Sequence, residues 1–236
     1  MDVCPVPLNL SGNSVVGSAF QTHPVSGCFF VGGKMSNNSS KTKVLVEGAL
    51  LIAISAVLSI WPKFKFLPYG GSITVCSMLP IILFSYRRGI KWGLLAGLAF
   101  ALIQTITGFT SSGTGFVPFV FELLFDYLVA FTVLGLGGMF RGKLGSSKKE
   151  FVIGTVVAIM LRYLSHFISG YVVWGEYAEW FFGEVGPWGQ NILNTMSGNA
   201  LSAFYSLVYN GTYMIPELII TTIVAAIIFP YVDFKE

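Results

Sequence analysis

From Val44 onward the chain alternates long apolar runs with short polar breaks, and the runs have helix rather than strand length. A helix needs roughly 20 mainly apolar residues to cross a bilayer core. On that basis the pattern predicts six spans. The first covers Val44 to Trp61 and is halted by Pro62; the second, short and carrying Pro80, covers Ile73 to Tyr86. The third covers Trp92 to Thr107, ahead of the turn-rich run GFTSSGTG, and the fourth runs from Val117 to Phe140 and closes at Arg141. The fifth covers Phe151 to Trp174 and the sixth Tyr213 to Tyr231, with the moderately apolar 202–212 either extending the sixth or lying against it. The expected fold class is an all-α integral membrane protein. Residues 1–43 read differently, being polar and rich in Gly and Ser, with no run near span length. Two readings suit them: a disordered tail, or a start placed too early with Met35 as initiator. Val25-Ser26-Gly27-Cys28 loosely matches a lipoprotein cleavage box but lacks the charged and apolar regions such a signal needs. The organisation expected is therefore a tail over 1–43 and a six-helix membrane domain over 44–236.

Composition sharpens this. The chain is 54% hydrophobic and 11% charged, with a mean hydropathy of +0.73, whereas a soluble domain is roughly 25% charged. Too few ionisable groups remain to coat a water-facing surface, which excludes a cytosolic enzyme, a nucleic-acid-binding domain and general disorder. Lys34, Lys41, Lys43, Arg87, Arg88, Lys91, Arg141, Lys143, Lys148, Lys149 and Lys235 fall on one side of the predicted topology. Lys63 and Lys65 fall on the other, and the positive-inside rule then puts both termini in the cytoplasm. The outer segment 175–200 is acidic, with Glu176, Glu179 and Glu184. Cys4, Cys28 and Cys76 lie far apart and suggest neither a zinc site nor a disulfide framework. No cofactor or metal is expected.

The chain has no phosphate-binding G-x-x-x-x-G-K-[ST], no HExxH and no GxSxG. With no nucleophile–base pair in view, an enzyme is not expected. Ionisable residues within spans are costly unless they face a cavity or a partner, so they mark function by default. Glu122 and Asp126 are four apart, on one face of a helix, and Tyr127 follows. Arg162, His166, Gly170 and Trp174 recur every four residues along the fifth span. Tyr205 and Asn210 lie close together, and Glu217 follows Pro216. Each has a plainer explanation: Trp180 and Trp188 as interfacial belt residues, Arg162 with Glu122 as a structural ion pair, and His166 as an interhelical hydrogen bonder. In combination, one carboxylate beside aromatic faces suits a small, flat cation in a dry pocket.

Several segments carry a resemblance. They are Ala49-Leu-Leu-Ile-Ala53, Gly71-Ser-Ile-Thr-Val-Cys-Ser-Met-Leu-Pro80, and Arg87-Arg88-Gly89 with Gly93 and Gly97. Asp126-Tyr127-Leu-Val-Ala-Phe131, Arg162-Tyr163-Leu-Ser-His166-Phe-Ile-Ser-Gly170 with Trp174, and Tyr205-Ser-Leu-Val-Tyr-Asn210-Gly211 complete the set. With these motifs the chain from Val44 onward resembles the thiamine-specific substrate-binding subunit (S component) of energy-coupling factor transporters. The resemblance implies a six-helix fold that binds thiamine from outside at high affinity. It puts Asp126 in the place of the carboxylate facing the cationic ligand, where the family typically has Glu, and Tyr127 beside it as a phenol. It makes His166 and Trp174 the stacking rings, Gly170 the point of close approach, and Tyr205 and Asn210 the polar contacts. Glu122 is the next carboxylate in line, and Tyr69 stands for the aromatic near the loop between the first two spans. Ala49 and Ala53 would contact the transmembrane coupling subunit, and two separate ATPase subunits would supply the energy that this chain cannot. Small-residue stripes, including Gly89, Gly93 and Gly97, also permit close helix packing. The alternative from another class is a self-sufficient secondary transporter of an organic cation, with Glu122, Asp126 and Glu217 as a proton relay. Against it, no inverted repeat or pair of broken helices is visible.

Overall fold

A chain crossing lipid must pair its own backbone groups, and the apolar runs do so as helices. The computed structural model describes residues 38–61, 63–64, 71–109, 111–113 and 115–232. Helix α1 (Asn38–Ile60) leads into two short strands, β1 (Lys63–Phe64) and β2 (Ile73–Thr74), paired antiparallel. Helices α2 (Leu79–Arg88) and α3 (Ile90–Gly108) follow. The next span, Phe116–Gly138, changes winding along its length. It passes from α4 (Phe116–Phe121) through a π-helix (Glu122–Val129) and α5 (Ala130–Thr132) into a 3-10 helix (Val133–Gly138). Then come α6 (Ser147–Val172), a 3-10 turn (Trp174–Tyr177), α7 (Ala178–Glu184), α8 (Pro187–Thr195) and α9 (Gly198–Ile228), which ends in a 3-10 turn (Phe229–Tyr231).

Five helical spans, Lys41–Ile60, Ile90–Gly108, Phe116–Gly138, Ser147–Val172 and Gly198–Tyr231, are long and apolar enough to cross a membrane. The second expected span takes another form. Ten residues of α2 reach about 15 Å, half of a bilayer core of roughly 30 Å. Before it, Ile73–Thr74 is strand and Cys76 takes a left-handed φ of 58°. Irregular backbone at membrane depth is tolerated where protein rather than lipid surrounds it. That condition holds, for Met78, Ile81 and Ile82 are fully buried. The other ends shift in ways the polar flanks explain. Helix α1 starts at Asn38, ahead of the expected boundary at Val44, and α9 takes in the whole of 202–212. The outer segment expected as a loop winds into α7 and α8. Tyr69 and residues 1–37 lie outside the described residues.

Helix α2 is the axis of the core. Its Leu79, Ile81, Ile82, Phe84 and Tyr86 pack with Phe100, Phe131, Phe151, Ile159 and Met214 from the surrounding helices. Gly93 and Gly97 let α3 lie against the far end of the Phe116–Gly138 span, a Cβ on Gly97 meeting the Phe131 carbonyl at 2.8 Å. Gly89 serves otherwise, turning the chain between α2 and α3 at φ 90° with open space where a Cβ would point. A smaller cluster, Ala178, Phe181, Phe182, Leu201 and Tyr205, sits under α7 and α8 with Trp174 and Tyr177 against it. At the basic end, Glu47 on α1 accepts from Arg88 Nε at 2.7 Å and pairs with Arg87 Nε at 2.6 Å. There Arg141 donates to the Arg87 carbonyl at 2.7 Å, joining the two basic turns.

Candidate functional site

The middle of the molecule is where the buried polar groups meet. Winding as a π-helix shifts backbone pairing from i→i+4 to i→i+5, and this re-aims the carboxylates of Glu122–Val129. Ser165 Oγ on α6 donates to the Phe125 carbonyl at 2.5 Å, tying the π-helix to α6 just before Asp126. Asp126 Oδ1 then lies 2.9 Å from His166 Nδ1, and Oδ2 accepts from Ser169 Oγ at 2.7 Å. On the other side of the ring, Arg162 Nε donates to His166 Nε2 at 3.3 Å. Arg162 also lies 4.4 Å above the centre of the Phe131 ring and 3.5 Å from Glu217 Oε2 on α9. Glu217 Oε1 accepts from the Thr74 backbone N–H at 3.1 Å and from the Thr74 hydroxyl. The chain of contacts thus runs Asp126–His166–Arg162–Glu217–Thr74 and joins four elements.

Helices α6 and α9 meet along a seam of small and polar residues. A Cβ on Gly170 would collide with Ser206 Oγ and come within 2.8 Å of Asn210 Nδ2; one on Gly175 would come within 2.7 Å of Ser202 Cβ. Asn210 Nδ2 donates to the His166 carbonyl at 3.2 Å, while Tyr213 Oη donates to Asn210 Oδ1 at 2.5 Å. The Tyr213 ring meets the His166 ring edge-on at 6.0 Å between centres. Electrostatically, Arg162 and Glu217 offset each other. Asp126, whose side chain is 20% exposed, has two occupied acceptor positions. A carboxylate offers about four, so it retains capacity for a ligand donor or cation.

The expected site residues divide into three groups. Asp126, His166, Gly170 and Asn210 come together at the seam. Trp174, in the 3-10 turn just past α6, and Tyr205, further along α9, lie in the outer aromatic cluster, Trp174 packing 5.6 Å from Tyr177 and Tyr205 5.4 Å from Phe181. Tyr127 and Glu122 turn elsewhere: Tyr127 Oη donates to the Gly108 carbonyl at 2.7 Å, and Glu122 Oε1 accepts from the Ser112 N–H at 2.8 Å. Glu122 and Asp126 thus take different partners, and one expectation is corrected. Arg162 pairs with Glu217 rather than Glu122, since Glu122 is drawn to the 111–113 loop. Ala49 and Ala53 are exposed on α1. Among the described residues, no group of three or more His, Cys, Asp or Glu could hold a metal ion.

A profile of the family described as thiamine transporter protein matches residues 45–233. The chain belongs to the thiamine transporter protein family. It is 34% identical over 203 residues to the thiamine transporter ThiT of Bacillus subtilis strain 168, covering 82% of this chain and 93% of that one. ThiT of Lacticaseibacillus paracasei is 25% identical over 199 residues, 78% of this chain and 86% of the relative. The solved structure of ThiT from Listeria monocytogenes superposes with a TM-score of 0.61 at 21% identity, covering 81% of this chain and 96% of that chain, a likeness of fold. With its apolar spans, this family member is a multi-pass bacterial membrane protein.

Sequence reading of this thiamine transporter family member missed Ser165, Ser169 and Tyr213. Two of them had a usable signal: Ser169 is three residues after His166 and Tyr213 three after Asn210, positions that share a helix face. Ser165 had none, because its partner is a backbone carbonyl that only the π-helix presents to α6.

Proposed function

We propose that this chain captures thiamine from the outer side of the membrane at high affinity. It then serves as the substrate-binding subunit of an energy-coupling factor complex, with a transmembrane coupling subunit and two ATPase subunits. The observation that carries the proposal is the Asp126 carboxylate, held by His166 and Ser169 with acceptor capacity to spare. Thiamine carries a permanent positive charge on one of two flat rings, and a carboxylate between aromatic walls complements both features. In this reading Asp126 faces the cation, and His166 and Trp174 stack on the rings. Tyr127, Tyr205 and Asn210 add polar contacts, and Gly170 keeps α6 and α9 close enough to form one wall. The outer aromatic cluster supplies the lid side. Ala49 and Ala53, exposed among Leu45, Val46, Leu50 and Val57, form the smooth face on which the coupling subunit docks. Family membership supports the substrate.

Calorimetry on the purified chain with thiamine, pyrithiamine, riboflavin and biotin is the test. Thiamine and pyrithiamine should bind without nucleotide and quench tryptophan fluorescence, while riboflavin and biotin should not bind. Equal affinity for riboflavin, or no heat with thiamine, would overturn the reading.

A further inference from the structure

His166 is held on both ring nitrogens by groups of fixed or opposed character. On one side Arg162 Nε, which always carries its hydrogen, points at Nε2 from 3.3 Å. On the other an Asp126 oxygen lies 2.9 Å from Nδ1. An N–H cannot donate to a nitrogen that is itself protonated, so the contact with Arg162 requires Nε2 to be bare. The ring proton must then sit on Nδ1, where Asp126 accepts it. Arg162 Nη1 also pairs with Glu217 Oε2 at 3.5 Å, an ion pair without a hydrogen bond, and the other Glu217 oxygen is tied to Thr74 in the segment before α2. The Phe131 ring closes a further side of the guanidinium. Of the charged groups around the imidazole, only Asp126 and Arg162 touch it among the described residues.

We infer that Arg162 is a positioning residue: held by Glu217 and Thr74, it keeps His166 neutral with its proton on Nδ1. The consequence reaches the ligand. A doubly protonated His166 would neutralise Asp126 from within, leaving no net negative charge for an incoming cation. A neutral ring donates a hydrogen bond and fixes the carboxylate while leaving its charge in place. This rests on the reading of Asp126 as the group that meets a cationic ligand.

The test uses the imidazole itself. His23 and His166 are the two histidines of the chain, so a His23→Ala background leaves a single ring. Its 15N spectrum, recorded on the full chain in detergent without ligand, should show one protonated and one bare nitrogen, with the proton at Nδ1. In Arg162→Met/Glu217→Gln, which removes both charges but leaves Thr74 an acceptor, Asp126 still holds the Nδ1 proton and Nε2 is freed to take a second, so both nitrogens should read as protonated. Thiamine affinity should fall about tenfold or more, on the scale of a lost charge-assisted hydrogen bond. Arg162→Lys, which keeps the charge opposite Glu217 but not the directed N–H, should not restore either property. A ring protonated at Nε2 or at both nitrogens in the His23→Ala chain would overturn the inference without any further variant. So would an unchanged spectrum or unchanged affinity in the double variant, which would reduce Arg162 to a counter-ion for Glu217. If the unaltered chain bound no thiamine, the reading of the ligand would fail, yet the ring spectrum would still decide the positioning.

Discussion

Helices α1 and α6 are both long, apolar and spanning, yet they are used oppositely. In α6, 44% of the apolar window is buried, against 17% in α1. Helix α6 turns Arg162, Ser165, His166 and Ser169 inward, each buried and bonded to another element. Helix α1 turns Leu45, Val46, Leu50, Val57 and Ile60 outward to more than half exposure. Its polar residues work at the inner face, where Ser59 donates to Gln104 at 3.0 Å and Glu47 holds two arginines. Under the proposed function, the difference separates two tasks that a substrate-binding subunit must keep apart. A rigid, polar, enclosed seam suits recognition of a small molecule, and a smooth outer face suits another helix in lipid, where close packing drives association.

The strongest way to break the comparison is to load the α1 face. Replacing Ala49 and Ala53 together with Trp should abolish thiamine uptake in cells that supply the partner subunits. Affinity of the isolated variant should stay within about twofold, because both side chains are exposed on α1. Loss of binding as well would show that α1 shapes the pocket. Undiminished uptake would favour a carrier that needs no partner.

On the seam, the largest effect belongs to Asp126→Asn, which keeps the acceptor for His166 and removes the charge. Binding measured by calorimetry should weaken by about 1.5–3 kcal/mol, the range for hydrogen bonds to charged groups. An unchanged dissociation constant would move the cation to another carboxylate, Glu122 first. Gly170→Ala acts on packing instead. Its new methyl would press on Ser206 and Asn210, and thermal or denaturant unfolding should show a loss of about 1–3 kcal/mol, as for overpacked cores. A neutral result would mean that the seam yields and is looser than its contacts imply.

The smallest effect separates two tryptophans of the outer cluster. Trp174→Ala should cost about 0.5–2 kcal/mol in affinity, the scale of a desolvated cation–π contact, and Trp188→Ala less. Trp188 is 47% exposed and packs against Phe182 and Phe204 at the edge of the cluster. If Trp188→Ala were the more damaging, the site would be capped by α8 rather than walled by the end of α6.

How far the chain could be read depended on what each residue answers to. Five spans were legible because lipid selects apolar run length, a property of sequence alone. Helix α2 was legible as a short element carrying Pro80, but its start was not, because strand and turn backbone precede it and a buried segment of either kind reads as part of one apolar run. The pairing of Asp126 with His166 was within reach, since two ionisable residues inside spans must find partners. The choice of Glu217 over Glu122 for Arg162 was not. Both carboxylates are buried, and which one faces Arg162 depends on helix rotation, to which spacing along the chain is blind. Rotation of the Phe116–Gly138 span in turn depends on a π-helix that its residues do not announce.

That π-helix makes chain length itself carry information. In ordinary α-winding each residue advances the face by about 100°, so removing one residue between Glu122 and Val129 would let the span rewind with the usual pairing. Because a π-turn holds more residues than an α-turn, the helix on either side would keep much of its register, while the positions inside the stretch, Asp126 among them, would be redistributed around the axis. Asp126 could keep its identity, its neighbours and its charge and still point away from α6, and Ser165 would lose the carbonyl it holds. This stretch should therefore tolerate exchanges of its apolar residues far better than a change in their number, and a homologous chain one residue shorter here would have to find its carboxylate at a different position.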